Sequence, residues 1–226
     1  MKKIPVYFMP GMAASPDIFE HIKLPDEVFE THLLHWEMPI GNEPLTDYAR
    51  RIAAKIKHEN PILIGVSFGG IIVQEMATFL NPQKVVIISS VKSNTEFPRR
   101  MKMAKMTKLY KIFPTGMAEN FDKFKSLPFS DKVKERFTLY EKFFDRREKE
   151  YLDWALEKIL LWDRSEPDPH IVHIHGDADE VFPCKYIKDF IPVPGGTHIM
   201  IINKFRWLNA RLPKILLGEN EADANS

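Results

Sequence analysis

Two short, apolar-rich runs, Pro61–Val66 and Lys84–Ser90, flank a stretch of helical spacing at Gly70–Leu80, and this pattern constrains the chain more than any other feature. A strand that reads as a nearly continuous apolar run is buried on both faces, as in a parallel sheet covered by helices. Ile4–Met9 reads as another such strand and Thr31–Trp36 as a weaker one. Leu45–Ile56 places Leu45, Tyr48, Ile52 and Ile56 near helical spacing, with basic residues between them. Strand and helix alternating through residues 1–90 predict βαβ units and a parallel sheet.

The pattern changes from Val91 to Trp162, where strand signals stop and Lys, Arg, Phe and Met accumulate. Val133, Phe137, Tyr140 and Phe144 recur at steps of four, three and four, which is helical periodicity. Strand signals return at Ile171–His175 and Ile191–Val193, and a last helix fits Ile199–Leu217 before a polar, acidic tail. The reading is an α/β core from residues 1–90 and 163–226, interrupted by a helical insertion at 91–162.

Composition excludes several classes. The 226 residues are 44% hydrophobic and 28% charged, which fits a globular chain with a sizeable core and not a disordered one. Lys and Arg number 32 against 31 Asp and Glu, so nothing global points to nucleic acid or a charged membrane. Cys184 stands alone and can form no intramolecular disulfide. Two lysines precede the apolar Ile4–Met9, but that stretch is broken by Pro5, stopped by Pro10 and shorter than the roughly 7–15 residues of a signal-peptide core. No run approaches the roughly 20 apolar residues of a membrane span. The expectation is a cytoplasmic protein without stable membrane insertion.

The chemistry starts at Gly65-Val66-Ser67-Phe68-Gly69. A G-x-S-x-G string by itself is a weak signal, but this one follows a predicted strand and opens a predicted helix, the context of a nucleophile elbow. Bulk two residues before or after the serine would collide with neighbouring backbone, hence glycine at both places. A serine hydroxyl needs a positioned base, and Pro194-Gly195-Gly196-Thr197-His198 puts His198 in a loop after the last strand. An acid must orient that base. Asp177, Asp179 and Glu180 all follow the strand Ile171–His175, and Asp179 lies just past its end. His21, His32, His35 and His58 read as surface or satisfied core residues. His173 and His175 share one strand face, but no Cys, Asp or Glu cluster completes a metal set there, so no metal is expected.

The order Ser67, Asp179, His198 is that of the α/β-hydrolase superfamily. The sequence resembles that superfamily through GVSFGG at the elbow, HGDADEVFP at the acid and GGTH at the base. The resemblance covers essentially the whole chain and implies an α/β-hydrolase fold, with Val91–Trp162 where relatives carry a lid. It selects Asp179 over Asp177, because the acid stands three residues after the glycine of the His-Gly pair. It implies an oxyanion hole made by the backbone N–H of Phe68 and a second donor from the loop after the first strand. There the family often has His-Gly and this chain has Met9-Pro10-Gly11-Met12, which assigns Met12, with Gly11 in reserve, and argues against the HGGG lipase subgroup. Two further strands usually precede this point, so a reduced, mostly parallel sheet of about six strands is expected.

The implied function is a cofactor-independent serine hydrolase cleaving an ester or thioester of a small to medium apolar acyl group through an acyl-enzyme. The superfamily also contains lyases such as the synthase of menaquinone biosynthesis, cofactor-free perhydrolases, and hydrolase-fold binding proteins of slow turnover. A dehalogenase would need Asp at the elbow. Between Lys92 and Lys111, seven basic residues stand against Glu96 alone, with Met101, Met103 and Met106 interleaved. This reads as a solvated basic face with methionines on the core, or as a surface for an anionic carrier of the acyl group. Phe121, Phe124, Phe129, Phe137, Phe143, Phe144 and Trp154 make the insertion aromatic, to close a small core of its own or line an acyl pocket. Cys184 reads as a small buried hydrophobe.

Overall fold

The structure is a computed structural model that describes residues 2–108 and 142–219. Six strands, β1 (Ile4–Met9), β2 (Phe29–Leu33), β3 (Ile62–Val66), β4 (Lys84–Ile88), β5 (Val172–Gly176) and β6 (Ile191–Val193), form one sheet in the order β2-β1-β3-β4-β5-β6. Every pairing is parallel. Among the described residues the α-helices are α1 (Leu45–Ala53), α2 (Phe68–Ala77), α3 (Arg99–Thr107), α4 (Lys149–Leu161), α5 (Met200–Asn203) and α6 (Phe205–Leu217). The expected six-stranded parallel sheet is therefore present.

Alternation along the strands divides the core in two. Val6, Phe8, Ile62, Ile64, Val66, Val86 and Ile88 face Met200, Leu208 and Leu212 of α5 and α6. Tyr7, Met9, Leu63, Val85 and Ile87 face the other way, onto residues of α1, α2 and α4. This three-layer packing explains why the inner strands read as continuous apolar runs.

Boundaries differ from the expectation where tertiary contacts decide. β2 spans Phe29–Leu33 rather than Thr31–Trp36: Phe29 is buried, while Trp36 leaves the strand and enters the core from a loop. α2 starts at Phe68, not Gly70, because the elbow feeds directly into the helix. The last helix breaks at Lys204, whose backbone (φ −116°, ψ 21°) leaves the helical region.

Of the insertion, α3 and residues 142–161 are described; Phe121, Phe124, Phe129, Phe137 and most of the periodic stretch from Val133 lie outside the described residues. Phe143 and Trp154 are buried in the two clusters that cover the sheet, and Phe144 packs against one of them, rather than closing a separate core. Met101 packs on the core, but Met103 and Met106 are exposed, contrary to the expectation for those two. Among the described residues, no helix is long and apolar enough to cross a membrane.

Candidate active site

The loops leaving β3, β5 and β6 meet at one rim of the sheet. Ser67 follows β3 with φ 51° and ψ −118°, a left-handed backbone that a side chain other than glycine adopts only under constraint. The constraint is visible on both sides: the Ser67 N–H donates to Ile88 O at 2.9 Å, and Ser90 Oγ donates to Ser67 O at 2.7 Å. A Cβ on Gly65 would stand 2.3 Å from Gly69 O, and one on Gly69 would stand 2.3 Å from Pro10 O. Both glycines are thus required by close backbone approach, as the motif implied.

The acid and base loops approach just as closely, since a Cβ on Gly176 would be 2.2 Å from Gly196 O. Ala178 N–H donates to Gly196 O at 2.9 Å, and Gly195 N–H donates to Asp177 Oδ1 at 2.7 Å. Asp177 therefore stitches the turn, and Glu180 is exposed. Asp179 is the carboxylate that meets the histidine: His198 Nδ1 is 2.9 Å from Asp179 Oδ2, and His198 Nε2 is 2.9 Å from Ser67 Oγ. The other oxygen, Asp179 Oδ1, accepts from Val181 N–H at 2.8 Å and Phe182 N–H at 2.9 Å. Burial by itself raises the pKa of this carboxyl, but the His198 hydrogen bond, its charge and the Phe182 N–H outweigh it and leave the pKa below the ordinary value. An ionised Asp179 accepts only, so His198 carries its proton on Nδ1 and Nε2 is left to accept from the Ser67 hydroxyl.

The Phe68 and Met12 N–H groups make no hydrogen bond to any described residue. Phe68 stands at the first position of α2, where a helix leaves its N–H groups free and favours negative charge. The Gly69–Pro10 approach brings the Met9–Met12 loop against that helix end.

Several supporting residues are absent from the sequence reading. Trp36 Nε1 donates to Gly11 O at 2.7 Å, while its ring stacks on Phe68 at 5.0 Å and 10°. The Ala13 N–H donates to Tyr151 Oη at 3.2 Å, and Ala13 O accepts from the Asp145 and Arg146 N–H groups. Part of the insertion thus holds the loop after β1. Arg100 of α3 donates to Glu180 O and Val181 O, and Lys92 is buried with Nζ donating to Asp189 O at 2.9 Å. Lys92 is therefore withdrawn from the solvated face, while Arg100 stays exposed and engages the backbone carbonyls of the acid loop. Cys184 Sγ donates to Gly176 O at 3.2 Å, and burial with nearby Asp179 and Asp177 raises the thiol pKa, which fits a structural thiol.

Behind the acid lie the two strand histidines. Phe182 O can only accept, so His175 Nε2 donates to it at 2.8 Å, leaving Nδ1 to accept from His173 Nε2 at 3.2 Å. Burial depresses both pKa values, that of His173 well below the ordinary range with His175 and Lys92 adding to the effect. The pair is a neutral, buried support for the acid loop, and no metal group forms around it among the described residues. The shared-face spacing was the available signal. The group that does form, Glu30, His32 and His58, lies on β2 and before β3, at the opposite end of β3 from Ser67.

The sequence matches no protein-family model and no curated protein. Solved structures do match. An esterase from Thermogutta terrifontis, solved with malate bound, superposes with a TM-score of 0.68 at 14% identity over 96% of this chain and 91% of its own. The enol-lactonase from Burkholderia xenovorans LB400 gives 0.67 at 15% identity over 97% and 93%. An epoxide hydrolase of the α/β-hydrolase superfamily, from metagenomes of hot environments, gives 0.64 at 12% identity over 96% and 91%. At such identities the likeness is one of fold.

Proposed function

We propose that this chain, which has the α/β-hydrolase fold of those neighbours, is a serine hydrolase acting on a carboxylic ester or thioester of a small to medium apolar acyl group. The observation that carries the reading is the hydrogen-bonded line from Ser67 Oγ through His198 to Asp179, 2.9 Å at each step. In this reading Ser67 Oγ attacks the carbonyl carbon while His198 Nε2 takes its proton. The negative oxygen is held by the Phe68 and Met12 N–H groups, each worth roughly 10²–10³ in rate. His198 then hands the proton to the leaving alcohol or thiol, and water, activated by the same nitrogen, releases the acid from the acyl-enzyme. No cofactor takes part in any of these steps. The 91–162 insertion serves as lid and buttress: its Tyr151 and Asp145–Arg146 hold the oxyanion loop, and its Arg100 holds the acid loop.

A fluorophosphonate probe tests the nucleophile, and a chain-length panel of acyl esters and acyl-CoAs tests the substrate class. Labelling and turnover by wild type, both lost in Ser67→Ala, are expected. No labelling of wild type, or equal labelling of Ser67→Ala, overturns the reading. Labelling without hydrolysis of any ester or thioester would point to the lyase, perhydrolase or binding alternatives.

A further inference from the structure

We propose that Glu30, His32 and His58 form a binding site for a divalent transition ion of the zinc class, a clip between the sheet's edge strand and the loop that enters β3. Glu30 and His32 are two apart on edge strand β2 and so project from one face. His58 reaches them from the chain between α1 and β3. One ligand atom from each residue lies within 4.8 Å of the other two.

The distances among the three side chains suit a shared ion. His32 Nε2 is 3.1 Å from Glu30 Oε1, yet it is shielded from solvent and makes no hydrogen bond. Glu30 Oε2 is 3.9 Å from His58 Nε2. Around a tetrahedral zinc with bonds of roughly 2.0–2.1 Å, neighbouring ligand atoms stand about 3.3 Å apart. The Glu30–His32 pair already has that spacing, and rotation of the half-exposed Glu30 shortens its 3.9 Å gap to His58.

Tyr7 supplies the outer support that metal-binding imidazoles need. Its ring stacks on His32 at 4.6 Å and 16°, and its hydroxyl is 2.8 Å from His58 Nδ1, which leaves His58 Nε2 for the ion. The hydroxyl is itself fixed by the Lys57 N–H at 3.3 Å. Tyr7 and His32 are register partners, so the sheet holds the stack in place. A groove of about 300 Å³, which His32, His58 and Tyr7 help to line, runs beside the site. Two imidazoles and one carboxylate suit zinc, cobalt or nickel and not calcium or magnesium, which take oxygen ligands. Lys57, which also lines the groove, opposes the ion, but Lys55 is paired with Glu37. Because the ion would cross-link β2 to the far end of β3 from Ser67, it would stabilise the fold without touching the serine.

The test uses tag-free, chelator-stripped full-length protein. Cobalt(II) titration should give one equivalent of binding with the intense visible absorption of a four-coordinate ion, bleached by zinc. Zinc should raise the melting temperature. His32→Gln and His58→Gln should each weaken binding by more than about tenfold and abolish the zinc-dependent rise, while the His170→Ala control keeps both. Melting of each variant without metal reports folding separately. No cobalt absorption and no rise at millimolar zinc in wild type would overturn the proposal. So would unchanged binding in the His32→Gln/His58→Gln double variant.

Discussion

Acidification from about pH 7.5 to about pH 5 should destabilise the fold through the histidines behind the acid loop, and the size of the loss can be worked out. His173 and His175 are buried, and their pKa values in the folded protein lie below the ordinary 6.5. An unfolded chain takes up a proton at each as the pH falls through 6.5, while the folded chain resists it, so stability is full above that value and drains away below it. In the limit where a folded histidine never charges, the loss over this range is about 2 kcal/mol, from RT ln of the ratio of unfolded-state binding terms. His173, the more strongly depressed, lies nearer that limit; His175 contributes less, since Asp179 and Phe182 O pull its pKa back up. Glu96 works in the other direction, because burial raises its pKa. A comparison of wild type with His173→Gln cancels that term, and a glutamine can still donate to His175. Urea unfolding of both proteins at the two pH values gives four free energies at comparable slopes. The difference between the two pH values should be smaller in the variant, by up to the limit of about 2 kcal/mol. Equal pH dependence in the two proteins would refute the claim that His173 is held neutral.

Three further outcomes follow from the site. Asp179→Asn should lower turnover by roughly 10⁴-fold with little change in folding. The Val181 and Phe182 N–H groups pin Oδ1, so the new amide N–H₂ must face His198 Nδ1 and force the tautomer that cannot accept the serine proton; steady-state kinetics and circular dichroism check both halves. Gly69→Ala places a Cβ 2.3 Å from Pro10 O and must part the loop from α2 by about 1 Å, for which a loss of about a hundredfold in turnover is expected. Trp36→Phe keeps a ring against Phe68 but leaves Gly11 O without its indole donor, at a cost of about 1–3 kcal/mol in urea unfolding.

What is legible in the sequence and what is not divides along a physical line. Ser67, Asp179 and His198 are legible because each needs a specific chemical group on a tight turn, and tight turns demand glycine at fixed offsets: Gly65 and Gly69 at the elbow, Gly176 before the acid, Gly195 and Gly196 before the base. The inner strands are legible because burial on two faces leaves an unbroken apolar run. Trp36, Tyr151 and Arg146 leave no such mark. Trp36 reaches Gly11 across 25 positions, and Tyr151 reaches Ala13 across 138. What those contacts require is a shape and one polar atom at a place defined only after the sheet has formed, and many residues could meet that requirement. The boundary errors have the same origin. β2 ends early because Trp36 is drawn off to hold the loop after β1, and α2 starts early because the strained Ser67 leads straight into it. In both cases the departure from local propensity occurs beside Ser67, where the fold gives up regular structure to bring the hydroxyl, the imidazole and the free N–H groups to one rim.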